Sequence, residues 1–350
     1  MSELYIQSLG TYLPAGRMTG ARAVELGLYE EEQLLDGGIE AAIVADGDAP
    51  ADMAAAAARD ALDRAGIPGD SVDLFVHGGV YWQGPEGWSP TGYIMQRAGI
   101  GDVASFELRQ GCNGLMAGLE IAAGQLALNP GLRRAVLTTA LSAESPVVDR
   151  WSSAGPGIVL SDAACAIVLG REPGFARLDS VASLTVADLE GIHRGAEPLV
   201  DTAERAKIDA VTRVRGWAAQ APFPLSEVHS RMAKAFSDAV QRALTGADVR
   251  PDQLARVLFN HLPDHFVESL IMDPLDLPMS SSTAEFGRTV GHLGAGDQVL
   301  ALDHLLRGGE LAPGDRLLVC SGAPGYNVAA AVVTLLDLPA WATAAPVPAT

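Results

Sequence analysis

Residues 110–114 read Gln110-Gly111-Cys112-Asn113-Gly114, and this stretch decides the fold. Before it, residues 104–108 have the pattern of a short strand, and after it apolar residues recur at helical spacing as far as Leu126. Glycines on both sides of the cysteine allow a sharp turn and the close approach of a substrate. The sequence therefore predicts a strand, a tight turn and a helix that begins at Cys112.

The position of Cys112 predicts a nucleophile. A helix N-terminus stabilises a thiolate through its dipole and its free N–H groups, and the N–H of the cysteine itself can serve an oxyanion hole. The alternative is a small buried core residue, which is common for free cysteine. We expect that alternative for Cys165 and Cys320, which lie in apolar strand patterns, and a catalytic role for Cys112.

The elements around Cys112 occur twice in the chain. Each copy consists of a helix, a strand, a second helix and two further strands. The first copy comprises residues 51–65, 72–76, 112–126, 135–139 and 164–169. The second copy comprises residues 228–244, 256–260, 294–306, 316–320 and 328–335. Because the strands are continuous apolar runs, we expect an α/β protein with helices on both faces of its sheets.

This duplication predicts two similar halves, residues 1–172 and residues 173–350, packed about a pseudo-twofold axis. The first half carries the cysteine. Helix starts at Cys112 and Asp297 then occupy equivalent positions and face each other, so that residues far apart in sequence form one site. Residues 187–222 show little periodicity, and we expect them to cover the mouth of this site.

The composition excludes several classes of protein. The net charge of −19 over 350 residues disfavours a nucleic-acid partner, whose phosphates need Lys and Arg. No apolar run reaches the roughly 20 residues of a membrane span, and the N-terminus lacks a signal-peptide pattern. We therefore expect a cytoplasmic protein with no membrane partner. Three cysteines without a CxxC pair or histidines at ligand spacing favour neither zinc nor a disulfide framework, and we expect no metal or redox cofactor.

Four motifs follow one another in a distinctive order. They are Gly111-Cys112-Asn113-Gly114 after a strand, Ser161-Asp162-Ala163-Ala164 before a strand, His261 after a strand, and a late glycine-rich loop. In this order they resemble β-ketoacyl-acyl-carrier-protein synthase III, from about Leu4 to Leu335. The resemblance implies the thiolase fold, whose duplicated halves stack as αβαβα layers, together with a homodimer and a cysteine thioester intermediate.

Two motifs depart from the decarboxylating members of that family. Those enzymes use a His in a His-Gln-Ala-Asn motif and an Asn in a Gly-Asn-Thr motif to donate hydrogen bonds to an enolate. Here the first motif reads Asn260-His261-Leu262-Pro263-Asp264. The second aligns with Gly291-His292-Leu293-Gly294-Ala295-Gly296-Asp297, so that His292 replaces the Asn. A competing alignment, Gly287-Arg288-Thr289, also lacks the Asn.

A histidine beside a carboxylate predicts a general base. His292, held by Asp297, suits deprotonation of a hydroxyl or amine that attacks the acyl group on Cys112. The alternatives are a locally bonded loop histidine for His292 and a helix cap for Asp297. His261 either orients the thioester carbonyl or packs in the cleft.

The Cys-His-Asp set resembles the ester- and amide-forming branch of the family in antibiotic pathways. That branch moves polyketide-derived or malonyl groups from a carrier protein to a sugar, an aminocyclitol or another carrier. Transfer of a 6-methylsalicylyl group in pactamycin assembly is one candidate reaction. The sequence therefore predicts a non-decarboxylating, ping-pong acyltransferase. A decarboxylating synthase III and a non-catalytic polyketide synthase scaffold remain alternatives; the missing Asn argues against the first and the intact Cys112 against the second.

Other segments concern substrate binding. The family's coenzyme A segment, Trp-Ile-x-x-Arg-x-Gly, corresponds to residues 29–38, which lack the Trp and the Arg and contain a run of acids. We therefore expect an acyl-carrier-protein thioester as donor and a small-molecule alcohol or amine as acceptor. We expect Gly325, with Gly111 and Asn113 beside the cysteine, to bind the oxyanion or substrate. Four tryptophans either line an aromatic acyl pocket or simply pack: Trp82, Trp88, Trp151 and Trp217.

Overall fold

The computed structural model describes residues 3–200 and 207–343 as a mixed α/β protein built on one large sheet. Within these residues the strands are β1 (Leu4–Tyr12), β2 (Gly16–Thr19), β3 (Ala41–Val44), β4 (Leu74–Val80), β5 (Ala104–Leu108), β6 (Arg134–Leu141), β7 (Ala163–Gly170), β8 (Ala176–Thr185), β9 (Leu254–Leu258), β10 (Arg316–Ala323) and β11 (Asn327–Leu335). The α-helices are α1 (Gly20–Glu25), α2 (Glu31–Gly37), α3 (Pro50–Ala65), α4 (Thr91–Ala98), α5 (Gly114–Leu128), α6 (Ala210–Ala218), α7 (Val228–Ala247), α8 (Asp264–Val267), α9 (Asp273–Leu275), α10 (Ala284–Val290), α11 (Asp297–Arg307) and α12 (Ala340–Thr343).

The sheet repeats one pairing pattern. Its order is β5-β4-β6-β7-β1-β8-β11-β10-β9, and β2 and β3 form a separate pair. On one side β4 is parallel to β6, β6 is antiparallel to β7, and β7 is antiparallel to β1. On the other side β9 is parallel to β10, β10 is antiparallel to β11, and β11 is antiparallel to β8. The predicted repeat of elements is therefore present. The exception is β5: beside β9, in the place that corresponds to β5, there is only a single β-bridge, between Val257 and Ser282.

Helices cover both faces of each part of the sheet. Successive side chains of a strand point to opposite faces, so each strand supplies two cores. Phe75 of β4 packs with α3 and α4, whereas Val76 packs with α5 in a core that also contains α11 and Val319 of β10. Leu318 of β10 packs on the other side, with α7. The layers are therefore helix, sheet, helix, sheet and helix, as the thiolase fold requires.

Several boundaries differ from the sequence-based prediction. The helix at the cysteine begins at Gly114, after a turn of 3-10 helix at Gly111–Asn113. The predicted strand 256–260 is β9, which ends at Leu258 and leaves Asn260 and His261 in a loop. Residues 187–222 contain a 3-10 segment and α6, neither of which was predicted, and residues 201–206 lie outside the described part.

The two repeated parts are joined by the pairing of β1 with β8. The predicted division between residues 172 and 173 falls in the connection between β7 and β8, and it stays a prediction. The last seven residues of the second predicted half, 344–350, lie outside the described residues. Nowhere in the described ranges does a helix combine the length and the apolar character that crossing a bilayer requires.

Candidate active site

A cavity of about 1450 Å³ lies at the carboxyl ends of strands from both parts of the sheet. Its wall includes Val80 at the end of β4, Leu108 at the end of β5 and Ala323 at the end of β10. Such strand ends are the usual position of ligand sites in α/β proteins. The volume is larger than the roughly 300–1,000 Å³ of a typical small-ligand pocket, which leaves room for an acyl group and the arm of its donor.

Cys112 lines this cavity and is partly exposed to it. The preceding Gly111 has a φ of +51°, and a side-chain carbon built on it would lie 3.2 Å from Cδ of Pro324. Glycine suits this position, because the backbone is left-handed and a side chain would press against Pro324. The hydroxyl of Ser321 donates to the carbonyl oxygen of Cys112 at 2.9 Å. These contacts fix the cysteine turn against the end of β10.

His292 bridges Cys112 and Asp297. Its Nε2 lies 3.0 Å from Sγ of Cys112, and its Nδ1 lies 2.5 Å from Oδ2 of Asp297. The backbone is held on both sides, because the N–H of His292 donates to Val159 and its carbonyl accepts from Ser161, each at 2.8 Å. The segment that contains the Ser161 motif therefore positions the histidine, a role that the sequence did not indicate.

Asp297 is fully buried and accepts hydrogen bonds from three residues. Its Oδ1 accepts from the N–H of Leu293 at 2.6 Å, and its Oδ2 accepts from the N–H of His261 at 2.9 Å as well as from His292. The carboxylate does not cap α11, whose N-cap residue is Gly296. The interpretation of Asp297 as a helix cap is therefore wrong, and its bonds to the preceding loop hold His292.

The charges around His292 and Asp297 shift the pKa values of both residues. Burial acts to lower the pKa of His292, but Asp297 and Cys112 outweigh burial and raise that pKa well above the ordinary 6.5. Burial acts to raise the pKa of Asp297, but His292 and His261 lower it below its ordinary value. Asp297 is therefore ionised at neutral pH and accepts the Nδ1–H of His292, which leaves Nε2 to exchange a proton with Cys112.

His261 is buried behind the cavity wall rather than in it. Its Nδ1–H donates to the carbonyl of Gly291 at 2.9 Å, and its ring packs against the edge of Phe286. Its Nε2 is buried and has no hydrogen-bond partner within residues 3–200 and 207–343. Burial lowers the pKa of His261, so that the ring is neutral at pH 7. Of the two interpretations from the sequence, packing fits this geometry and contact with a thioester carbonyl does not.

Asn260 faces the cavity in the place expected for His261. Its Oδ1 accepts from the N–H of Gly322 at 2.8 Å, and its Nδ2 has no hydrogen-bond partner in the described part of the chain. Asn260 was not predicted as a site residue, although its position just after a strand was a usable signal.

The residues expected to bind the oxyanion or substrate lie close to Cys112 but differ in whether they face the cavity. Gly111 lines the cavity. The N–H of Asn113 donates to the carbonyl of Gln110 at 3.1 Å and its side chain is buried, which argues against a direct contact with substrate. Gly325 lies in the turn between β10 and β11, with cavity-lining residues on either side of it. Its role in an oxyanion hole stays a prediction.

The tryptophans and the remaining cysteines divide between the cavity and the core. Trp82 and Trp88 line the cavity. Trp151 packs on Tyr29 with ring centroids 5.2 Å apart, and Trp217 packs on Phe223 at 5.9 Å. The two remaining thiols are buried, and burial raises the pKa of each, as expected for core residues: Cys165 and Cys320.

Known proteins resemble this chain in sequence and in fold. A family model described as the C-terminal part of 3-oxoacyl-[acyl-carrier-protein] synthase III matches residues 244–335. The solved structure of ChlB3, described as an acyltransferase, is 38% identical, with 97% of this chain and 99% of that chain covered and a TM-score of 0.89. This chain belongs to the synthase III-like group of the thiolase superfamily. It is therefore a transferase that performs acyl transfer or condensation.

The relatives that are named as synthase III are less similar in sequence. The Mycobacterium tuberculosis β-ketoacyl-acyl-carrier-protein synthase III is 28% identical over 297 residues, 83% of each chain. A Streptomyces coelicolor β-ketoacyl-acyl-carrier-protein synthase III is 27% identical over 341 residues, 94% of this chain and 96% of the relative. The Aquifex aeolicus 3-oxoacyl synthase III structure, at 18% identity over 95% of this chain and 99% of that one, has a TM-score of 0.77 and shows likeness of fold alone. The assignment to pactamycin assembly stays a prediction.

Proposed function

We propose that this synthase III-like protein is a non-decarboxylating acyltransferase that carries its acyl group on Cys112. One observation carries the proposal: His292 lies between Sγ of Cys112, at 3.0 Å, and the ionised carboxylate of Asp297, at 2.5 Å. A nucleophile, a base and a group that orients the base are the elements of covalent acyl transfer.

The first half-reaction loads the enzyme. Cys112 gives its proton to Nε2 of His292, and the thiolate attacks the carbonyl carbon of an acyl thioester. The tetrahedral oxyanion rests on backbone N–H groups beside the cysteine, with Gly325 as a further donor. When the oxyanion collapses, the carbon–sulfur bond of the donor breaks, and the leaving thiol takes the proton from His292. The products are acyl-Cys112 and a free donor thiol.

The second half-reaction transfers the acyl group. His292 is now neutral at Nε2, while its Nδ1–H stays bonded to Asp297. It removes the proton from an acceptor hydroxyl or amine as the oxygen or nitrogen attacks the thioester carbon. The carbon–sulfur bond to Cys112 then breaks, and the thiolate recovers its proton from His292. An ester or an amide leaves the site.

Decarboxylating condensation is the second candidate, and the names of the curated relatives favour it. That reaction needs donors for the enolate that forms when carbon dioxide leaves. His261 has its Nδ1–H committed to Gly291 and lies behind the wall, and His292 has its Nδ1–H committed to Asp297. A scaffold role is disfavoured because a non-catalytic subunit needs no thiol placed against a base.

We further propose a carrier-protein thioester as donor and a small-molecule alcohol or amine of an antibiotic pathway as acceptor. The segment that corresponds to the family's coenzyme A segment reaches the cavity through Gln33 and Asp36. Glu31, Glu32 and Asp36 are exposed there, and carboxylates repel the phosphates of coenzyme A. We expect a higher kcat/KM with an acyl-carrier-protein donor than with the same acyl group on coenzyme A.

A homodimer is also part of the proposal. Within the described residues β5 pairs with β4 alone, and its Phe106 is 44% exposed. An exposed edge strand is a template for pairing with another strand. The end of β5 also lines the cavity through Glu107 and Leu108, so that a second copy on this edge adds to the wall of the site. Light scattering should give the mass of two chains, and Phe106→Asp should shift it to one.

The deciding experiment separates transfer from condensation. The enzyme is loaded from an acyl thioester, and malonyl-carrier protein is added while carbon dioxide and the intact mass are followed. We expect no carbon dioxide, and an acyl-Cys112 mass that persists until an alcohol or amine is supplied. Release of carbon dioxide that disappears in Cys112→Ala would overturn the proposal and make the protein a condensing enzyme.

A further inference from the structure

Two tyrosines at the cavity have backbone conformations that tyrosine rarely adopts. In the described chain, the non-glycine residues with positive φ are Tyr81 (+59°), Asp248 (+53°), Asp276 (+55°) and Tyr326 (+47°). The two aspartates are the C-cap residues of α7 and α9, where this conformation is common. The tyrosines are not helix caps. Tyr81 follows β4, Tyr326 precedes β11, and both line the cavity that contains Cys112.

The surroundings of Tyr81 hold it in this unfavourable conformation. The side-chain amide of Gln83 donates to the carbonyl oxygens of Val80, at 2.8 Å, and Ala140, at 3.2 Å. Its Oε1 lies 3.0 Å from Nε2 of the buried His77. Gln83 therefore fixes the loop after β4 to both β4 and β6, which restrains the backbone at Tyr81. Backbone conformations of this kind persist where the surrounding structure imposes them, and they cluster at functional sites.

The hydroxyl of Tyr326 is buried and has no hydrogen-bond partner in residues 3–200 and 207–343. The hydroxyl of Tyr81 also makes no hydrogen bond within these residues, but the residue is exposed to the cavity and to water. Tyr326 is only 5% exposed, whereas Tyr81 is 38% exposed and lines the cavity. A buried tyrosine hydroxyl usually has a partner, because leaving it unpaired is unfavourable. The cavity is the place from which a ligand can supply that partner.

The neighbours of Tyr81 indicate what kind of group the ligand presents. Burial raises the pKa of Tyr81, the charge of Cys112 raises it further and the charge of Arg213 lowers it, so the phenol lies near both. The guanidinium of Arg213 is already bound to Glu197 through two hydrogen bonds, at 2.7 and 2.8 Å. Arg213 is therefore not free to pair with a charged ligand beside Tyr81, and a neutral hydrogen-bonding group is the better match to the phenol.

We propose that Tyr81 and Tyr326 recognise an oxygen substituent of the acyl group, a hydroxyl or keto oxygen other than the thioester carbonyl. This inference rests on the proposed function, since it assigns this wall of the cavity to the group that Cys112 carries. An acyl group without such an oxygen leaves the buried hydroxyl of Tyr326 unpaired and leaves that of Tyr81 to water. Sites built to hydrogen-bond a substrate reject analogues that lack the bonding group. The pair therefore selects oxygen-substituted acyl groups over plain hydrocarbon ones.

Equilibrium binding to Cys112→Ala protein tests the proposal without requiring transfer. Two matched pairs of N-acetylcysteamine thioesters serve as probes, salicyl with benzoyl and acetoacetyl with butyryl. We expect the oxygen-bearing member of at least one pair to bind about tenfold tighter. That ratio should fall toward one when Tyr81→Phe and Tyr326→Phe are added, singly and together. The control is Tyr5→Phe: Tyr5 lies on β1, its hydroxyl bonds Glu3, and its replacement should leave the ratio unchanged.

Equal affinities within both pairs would overturn the proposal, and so would a ratio that survives removal of both cavity hydroxyls. The single Tyr326→Phe variant keeps the test open if a change at Tyr81 disturbs the fold. The proposed function fails in a different way. In that case wild-type protein forms no acyl-Cys112 adduct from thioesters that the Cys112→Ala protein binds.

Discussion

Asp297 accepts the backbone N–H of His261, at 2.9 Å, with the same carboxylate oxygen that bonds His292. The hydrogen bond that His261 gives to Asp297 is therefore made by its main chain, while its imidazole Nδ1 lies 3.4 Å from the other carboxylate oxygen, Oδ1. His292, in contrast, contributes through its imidazole. The two histidines that the sequence places in the family's motifs have unequal roles.

Replacing His261 should therefore cost little. We expect His261→Gln to lower the rate of acyl transfer by less than about tenfold, because the bond to Asp297 remains. His292→Gln should lower it by roughly a hundredfold to ten-thousandfold, the usual range for loss of a general base. Single-turnover transfer from loaded enzyme measures both. Equal losses would mean that the side chain of His261 touches the substrate.

Asp297→Asn should leave the fold in place and impair catalysis. An amide offers one acceptor oxygen where the carboxylate serves the N–H groups of Leu293 and His261 as well as His292. We expect a loss of up to about ten-thousandfold in kcat, as when the orienting acid of a triad is neutralised. Asp303→Asn, on the same helix but bound to Arg64 and Arg307, is the control and should lower the melting temperature without a comparable loss of kcat.

The rate of the second half-reaction should rise with pH. The base is the neutral form of His292, whose pKa in the free enzyme is raised by Asp297 and by the charge of Cys112. Acylation removes the charge of Cys112 and leaves that of Asp297. Transfer from isolated acyl-enzyme should therefore increase through an apparent pKa lower than that of His292 in the free enzyme and then level off. Rapid-quench measurements over pH 5 to 10 give the profile. A rate that is flat across this range would remove His292 from the role of base.

Stability should depend on pH through the same pair. The raised pKa of His292 gives stability that is full below its ordinary 6.5 and is lost as pH rises through the folded value. The lowered pKa of Asp297 gives stability that is full above its ordinary 3.8 and is lost as pH falls through the folded value. The excess stability of wild type over His292→Gln should be largest between these limits. Urea unfolding at several pH values measures it, and an excess that grows at alkaline pH would contradict the assignment.

Thiol labelling should distinguish the three cysteines. Cys112 is partly exposed in the cavity, whereas burial encloses Cys165 and Cys320 and raises the pKa of both. Iodoacetamide at neutral pH should therefore add one equivalent to native protein and none to Cys112→Ala. Intact and peptide mass spectrometry locates the adduct. Rapid modification of Cys165 would show that the core opens under native conditions.

The sequence predicted the strands whose side chains are apolar on both faces. β6 and β7 are buried along their whole length, and a continuous apolar run is the signal for such strands. β8 was missed because polar residues interrupt it. Two of them have partners far away in the sequence, with Ser180 bonded to the carbonyl of Ala243 and Asp179 bonded to Thr334. Such partners are visible only in the fold.

The site was predictable where chemistry constrained residue type. A thiol between glycines and a histidine in place of an asparagine pointed to Cys112 and His292, and a carboxylate five residues on pointed to Asp297. The unusual backbone of Tyr81 was not predictable, because tyrosine carries no preference for positive φ. α6 was missed despite a usable signal, since Ala210, Val214 and Trp217 recur at helical spacing.

The 3-10 turns before α5 and α11 contact each other, and Cys112 is the middle residue of one as Ala295 is of the other. The predicted equivalence of Cys112 with Asp297 is therefore wrong, because Asp297 begins α11 as Gly114 begins α5. Two separate, identical halves would repeat every side chain across a true twofold axis. A thiol would then face a thiol, and neither would have a base. Once both copies lie in one polypeptide, each evolves alone. A repeat within one chain thus allows a polarised site, in which, by the proposed mechanism, one copy holds the acyl group and the other handles the proton.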